Sequence, residues 1–254
     1  HTGYSFCLAE IGLDGSAEQC AGYGETAKTE RRSEMARPSF DPNHTALVIV
    51  DLQPDFMPGG ALPTDGGDTI VKPVNDLLRA RPFKHVVATQ DWHPPQHVSF
   101  ASNHAGHQAF DVIQLYGHEQ TLWPDHCVQG TPGAALHPEL ASEPLDVIIR
   151  KGADPAVDSY SGFFNNWSPD GRRPPTGLRG YLQERNIDTL FVCGLARDVC
   201  VKWTAEDGAK TGFDVHLIWD LTRPVDAAND ARVAADLEER GVTLVQAAEL
   251  LATG

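Results

Sequence analysis

A chain of 254 residues, 41% hydrophobic and 22% charged, is long enough to bury a substantial core and too apolar to be mainly a disordered polymer. Its formal net charge of −15 argues against nucleic acid and anionic membrane as partners, because both repel an acidic surface. Five cysteines, an odd number without a dense framework, fit a reducing and therefore cytoplasmic setting in which thiols stay free. No run approaches the roughly 20 apolar residues that span a bilayer, and no basic segment followed by an apolar one marks a secretory signal.

In chain order, residues 1–43 carry no sustained period of 2 or 3.6, and Pro38 and Pro42 close the stretch, so it reads as an extension before a single domain at 44–254. Ala46–Val50 is a short, continuous apolar run rich in β-branched residues, the pattern of a strand buried on both faces of a parallel sheet. Similar runs follow at His85–Thr89, Val147–Ile149, Thr189–Cys193, Val215–Trp219 and Thr243–Val245. Helical periodicity is expected over Ile70–Leu78, Gly177–Glu184, Val199–Lys210 and Ala227–Glu239. Strands alternating with helices predict a doubly wound, mostly parallel α/β sheet with helices on both faces. Residues 52–66 and 94–135, rich in Pro, Gly and His, are read as functional loops framing a site.

The chemistry-bearing residues are placed by these strands. Asp51, Asp91, Lys151 and Cys200 each stand at or just beyond the C-terminal end of a predicted strand or its turn, where open α/β sheets bind their ligands. Any one of them alone reads equally well as a helix cap or a solvated strand end; four reactive groups on one rim do not. Cys200 opens a predicted helix, so the helix dipole is expected to lower its thiol pKa. As a nucleophile it needs a base and a cation, which Asp51 and Lys151 can supply. Cys193, inside its strand, and Cys127 are expected to be structural. Asp91 and His93 fall on the same side of an extended segment, and His126 could close a loop site with them. One carboxylate and two imidazoles suit one divalent transition metal, Zn before Fe or Mn. His104, His107 and His118 are read as surface residues.

The segments Val50–Phe56, Pro58–Leu62, Gln90–Pro94, His97–Ala101, Trp123–Thr131, Lys151–Gly152, Asp158–Phe163 and Val192–Val201 together resemble the isochorismatase-like cysteine hydrolases, and within them the nicotinamidases or pyrazinamidases, over about residues 44–250. The resemblance implies a triad of Asp51, Lys151 and Cys200, metal ligands Asp91, His93 and His126, and His97 as an additional ligand or a supporting group. It also implies an oxyanion hole at Ala196 and Cys200, substrate contacts from Phe56, Trp123 and Leu195, and a cis peptide at Leu195-Ala196. The activity implied is conversion of nicotinamide to nicotinate and ammonia, and of pyrazinamide to pyrazinoate, through a thioester in NAD salvage. The partner is then a small molecule, and a homo-oligomer is compatible with it. Ureidoacrylate, maleamate or carbamoylsarcosine amidohydrolases, and a silent metal-binding scaffold, are the alternatives. Leu195 and Arg197 depart from the Val and Thr more usual before the nucleophile.

Overall fold

The structure, a computed structural model, describes residues 40–80 and 82–251. The expected extension therefore lies outside the described residues up to position 39. Among the described residues eight strands form two sheets. β1 (Thr45–Val50), β2 (His85–Asp91), β5 (Val147–Lys151), β6 (Thr189–Leu195), β7 (Asp214–Arg223) and β8 (Thr243–Val245) build a six-stranded sheet in the order β5-β2-β1-β6-β7-β8. Each pairing in it is parallel. β3 (Val112–Leu115) and β4 (His118–Thr121) form a separate antiparallel hairpin.

Period-2 alternation along β1 divides the core. Leu47 and Ile49 pack with Val74 and Leu77 of α1 (Val71–Ala80) and with Leu250 of α5 (Ala247–Leu251). Ala46, Val48 and Val50 pack on the opposite face with Leu178 and Leu182 of α2 (Leu178–Gln183), Ala205 of α3 (Lys202–Lys210) and Val233 of α4 (Asp230–Glu239). A strand covered on both sides cannot afford polar residues, which is why β1 reads as an unbroken apolar run and is buried throughout. Among the described residues no helix is long and apolar enough to cross a membrane.

The chain runs outward from β1 through β2 to β5, then returns to the other side of β1 as β6. The order reverses between β1 and β6, so a crevice opens beyond their C-terminal ends. Two backbone features shape it: the Leu195-Ala196 peptide is cis, and Gly194 has φ +114°. A Cβ built on Gly194 would lie 2.0 Å from the Val50 carbonyl oxygen, so β6 approaches β1 more closely there than a side chain allows. Gly194→Ala is expected to destabilise the fold by about 2–4 kcal/mol, from backbone strain plus overpacking, measured as a lowered urea midpoint.

Candidate active site

Asp51, directly after β1, turns the chain with φ +46°, a conformation that Asp tolerates better than most residues. Its Oδ1 accepts a 2.6 Å hydrogen bond from the Thr89 hydroxyl and its Oδ2 lies 2.9 Å from Lys151 Nζ. Lys151, the last residue of β5, also donates to Asp91 Oδ1 at 2.8 Å and to the Ser159 carbonyl at 3.0 Å, and it reaches Cys200 Sγ at 3.4 Å. Asp51 is close enough to Cys200 to act on its thiol. Three residues about fifty and a hundred positions apart in sequence thus meet at the switch point of the sheet, and all are buried.

Burial works against the Lys151 ammonium, yet the carboxylates of Asp51 and Asp91 outweigh it and hold its pKa well above the ordinary value. Burial likewise raises the Asp51 carboxyl, with Lys151 opposing. The expected lowering of the Cys200 pKa is not what the structure gives. Cys200 does not open an ordinary helix: it lies within a π-turn, Arg197–Val201, ahead of α3. Burial pushes its thiol well up, against Lys151 and with Asp51 and Asp91 adding to the rise. The sulfur therefore rests protonated, with a carboxylate beside it to take the proton. Cys127 and Cys193 are buried as well, and burial raises both thiols.

Asp91 joins this cluster to a second one. Its Oδ1 faces Lys151, while its Oδ2 lies 2.9 Å from His93 Nε2 and 3.4 Å from His126 Nε2. The carboxyl stays well below its usual range because His93 and Lys151 outweigh the burial that opposes its charge. Each imidazole is oriented from behind: His93 Nδ1 donates to the Gly152 carbonyl at 3.0 Å, and His126 Nδ1 to the Pro124 carbonyl at 2.7 Å. A carbonyl only accepts, so each Nδ1 carries a proton and each ring is held with Nε2 as the atom turned toward Asp91. Gly152 has φ +67°, and a Cβ there would meet His93 Cε1 at 2.3 Å, so glycine after Lys151 makes room for this ring. The Asp91 backbone is itself gripped by the Gln53 amide, which accepts from its N–H at 2.7 Å and donates to its carbonyl at 2.8 Å.

The ligand atoms of Asp91, His93 and His126 all lie within 4.8 Å of one another, and the three residues are buried. This donor set fits one divalent transition metal: a carboxylate and two imidazoles of fixed tautomer, beside a cluster in which two carboxylates face the single ammonium of Lys151. His97 lies behind His93, with ring centroids 4.1 Å apart. Its Nε2 points at the Val157 carbonyl at 3.2 Å and its Nδ1 accepts from the Ser99 hydroxyl at 2.7 Å, so both nitrogens already have protein partners. Burial and the neighbouring His93 push its pKa down to about 4. His97, His93 and Asp158 also lie close enough to form an overlapping donor set.

A narrow cavity opens between the two clusters. Phe56, Trp123, Tyr160, Leu62, Val199 and Val225 supply its apolar walls, and Asp91, His126, Asp158, Ser159, Ala196 and Cys200 its polar floor. Leu195, expected at the substrate, is not part of this lining; its fully buried side chain packs in the core near Gly67. Tyr160 was not singled out in the sequence. Its hydroxyl accepts from Trp123 Nε1 at 3.2 Å and Gln120 Nε2 at 3.1 Å, which fixes two aromatic walls at once. Its only trace in the sequence is its place in the polar, Gly-containing segment after Lys151.

A doubly wound α/β sheet that brings a thiol, a carboxylate and an ammonium together at its switch point, with the thiol facing a cavity, is the architecture of a cysteine-dependent hydrolase. The isochorismatase domain model matches residues 45–249, and the chain belongs to that family. It is 48% identical to the nicotinamidase of Acinetobacter baylyi over 72% of this chain and 83% of that protein. A solved structure described as a nicotinamidase and pyrazinamidase of Acinetobacter baumanii superposes with TM-score 0.78 at 43% identity, covering 83% of this chain and all 100% of the other. The pyrazinamidase of Pyrococcus horikoshii in complex with zinc superposes with TM-score 0.64 at 35% identity, covering 80% of this chain and 99% of that one.

Proposed function

We propose that this chain hydrolyses nicotinamide to nicotinate and ammonia, and pyrazinamide to pyrazinoate, through a thioester on Cys200, serving NAD salvage in the cytoplasm. The observation that carries the reading is the meeting of Cys200, Asp51 and Lys151 beneath an aromatic-walled cavity that Asp91 and His126 of the donor set also line. A six-membered aromatic amide matches both ends. The relatives named as nicotinamidases and the zinc complex of one pyrazinamidase support it.

Asp91, His93 and His126 would hold the metal, with Zn preferred over Fe or Mn, and when bound it supplies a Lewis-acid centre with open positions for a ring nitrogen or water. The remaining chemistry belongs to the chain. Phe56, Trp123 and Tyr160 confine the ring and present the carboxamide carbon to Cys200. Asp51 takes the thiol proton as sulfur attacks, and the carbon–oxygen π pair moves onto oxygen, where the Ala196 and Cys200 amides receive it. The Lys151 ammonium keeps the carboxylate and sulfur in register. Asp51 returns the proton to nitrogen, the carbon–nitrogen bond breaks and ammonia leaves. Water, losing its proton to Asp51, then adds to the thioester; the carbon–sulfur bond breaks and sulfur regains the proton. General acid–base help of this kind is worth about 10²–10⁴-fold, and the oxyanion donors about 10²–10³-fold.

The test is ammonia release from nicotinamide, pyrazinamide, ureidoacrylate, maleamate and carbamoylsarcosine under one set of conditions. Nicotinamide and pyrazinamide are expected to give the two highest kcat/KM values. A higher value on any of the others moves the chain to a different amidohydrolase of the same family.

A further inference from the structure

We propose that Arg197 and Asp198 are positioning residues that lock the nucleophile turn onto the β7–α4 connection and thereby aim Cys200 and the amides beside it. This rests on the reading of Cys200 as the nucleophile.

A π-turn is wider than an α-helical one and is held by fewer well-formed bonds, so its geometry depends on what surrounds it. Here the Val199 and Val201 amides share the Ala196 carbonyl, at 3.1 and 3.0 Å, and the Lys202 amide is itself shared between the Arg197 and Val199 carbonyls, so the turn's own bonds are divided ones. The side chains of Arg197 and Asp198 anchor it from outside. The Arg197 guanidinium donates from Nε to the Thr222 hydroxyl at 2.8 Å, from Nη2 to the Thr222 carbonyl at 2.9 Å, and from Nη1 to Asp230 Oδ2 at 2.6 Å. Its central carbon also lies over the Trp219 ring, 4.0 Å from the centroid. Asp198 does the opposite chemistry on the same segment: its carboxylate accepts from the Val225 amide at 2.8 Å and the Asp226 amide at 3.0 Å. A cation on carbonyls and an anion on amides, at adjacent positions, fix the turn in two directions.

The segment they grip is itself part of the site. Val225 lines the cavity with Ala196 and Cys200. Thr222 pairs with Gly194 where the β6–β7 register shifts, immediately before the cis peptide. Arg197 is almost fully buried although it touches none of the reacting groups, and a buried guanidinium with this many partners is a poor choice for packing alone. What it does is hold the start of the turn that carries the sulfur.

Loosening this clamp should cost rate without costing affinity, because the aromatic walls and the donor set are on other elements. Arg197→Met, which keeps the aliphatic stem, and Asp198→Asn, which keeps one acceptor, are each expected to lower kcat by roughly ten- to a hundredfold while KM for nicotinamide stays within about twofold. The rate of Cys200 alkylation by iodoacetamide, followed across pH, should change its profile in both variants. Arg197→Lys should not restore kcat, since an ammonium cannot reach a hydroxyl, a carbonyl and a carboxylate in a plane. If Arg197→Met fails to fold, Asp198→Asn alone decides. A folded variant with parental kcat and an unchanged alkylation profile overturns the proposal, as does a fall in kcat matched by an equal fall in the folded fraction. Cys200→Ala run alongside separates the two readings: if it keeps turnover, the nucleophile assignment has failed rather than the clamp.

Discussion

Cys200→Ala lowers ammonia release from nicotinamide by roughly 10⁴-fold or more, with the unfolding midpoint close to that of the parent. The size follows from the state in which the thiol rests. Burial keeps Cys200 protonated, so the sulfur gains its nucleophilicity only as Asp51 removes the proton, and among the described residues no second thiol lines the cavity. Cys127 and Cys193 are both buried, and Cys193 lies inside β6. The fold survives because the side chain that is lost is small and its neighbours are carried by separate strands: Asp51 retains Lys151 and Thr89, and Lys151 retains both carboxylates. A variant that kept more than about one hundredth of parental turnover would place the attack on another group, water activated at the donor set being the first to consider.

The sequence made the rim of the sheet legible for a physical reason. A strand buried on both faces must be apolar, so the first charged residue after such a run marks its C-terminal end, as Asp51 does after β1 and Asp91 in β2, whereas Lys151 closes the edge strand β5 one residue after Arg150. Strand ends of a parallel sheet converge, and the long loops had nowhere else to fold. Other features were less readable. β7 runs on to Arg223 through Asp220 and Thr222, polar residues that break the apolar run yet still pair with β6 past the register shift. The β3–β4 hairpin was read as loop because its two-residue turn is Tyr116-Gly117, with φ +53° and +84°, instead of the Asn-Gly or Asp-Gly that usually signals such a turn. The Cys200 pKa could not be read at all: a helix start is a local feature, whereas burial depends on the whole fold. Leu195 was hidden for the same reason: side chains alternate along β6, and its own packs in the core while Ala196 lines the cavity.

Removing the metal is expected to lower turnover by roughly 10³-fold, as befits a Lewis acid worth several kcal/mol. His126→Ala is the cleaner variant for testing this than Asp91→Ala. Asp91 carries one oxygen toward Lys151 and the other toward the imidazoles, so removing it disturbs the triad and the donor set together. His126 stands farther from the triad: its Nδ1 is held by the Pro124 carbonyl, its Nε2 faces Asp91, and its ring packs against Phe56 and Phe100 at the cavity wall. The variant should therefore purify with much less than one equivalent of metal by elemental analysis, retain Cys200 alkylation at the parental rate, and bind nicotinamide weakly. Chelation of the parent followed by dialysis should reproduce the loss, and adding back Zn, Mn or Fe should restore turnover to the parent but not to the variant. Full activity in a protein shown to hold no metal would leave the Asp91, His93 and His126 cluster as a hydrogen-bonded prop for Lys151, and the ring of the substrate would then have to be held by the aromatic walls alone.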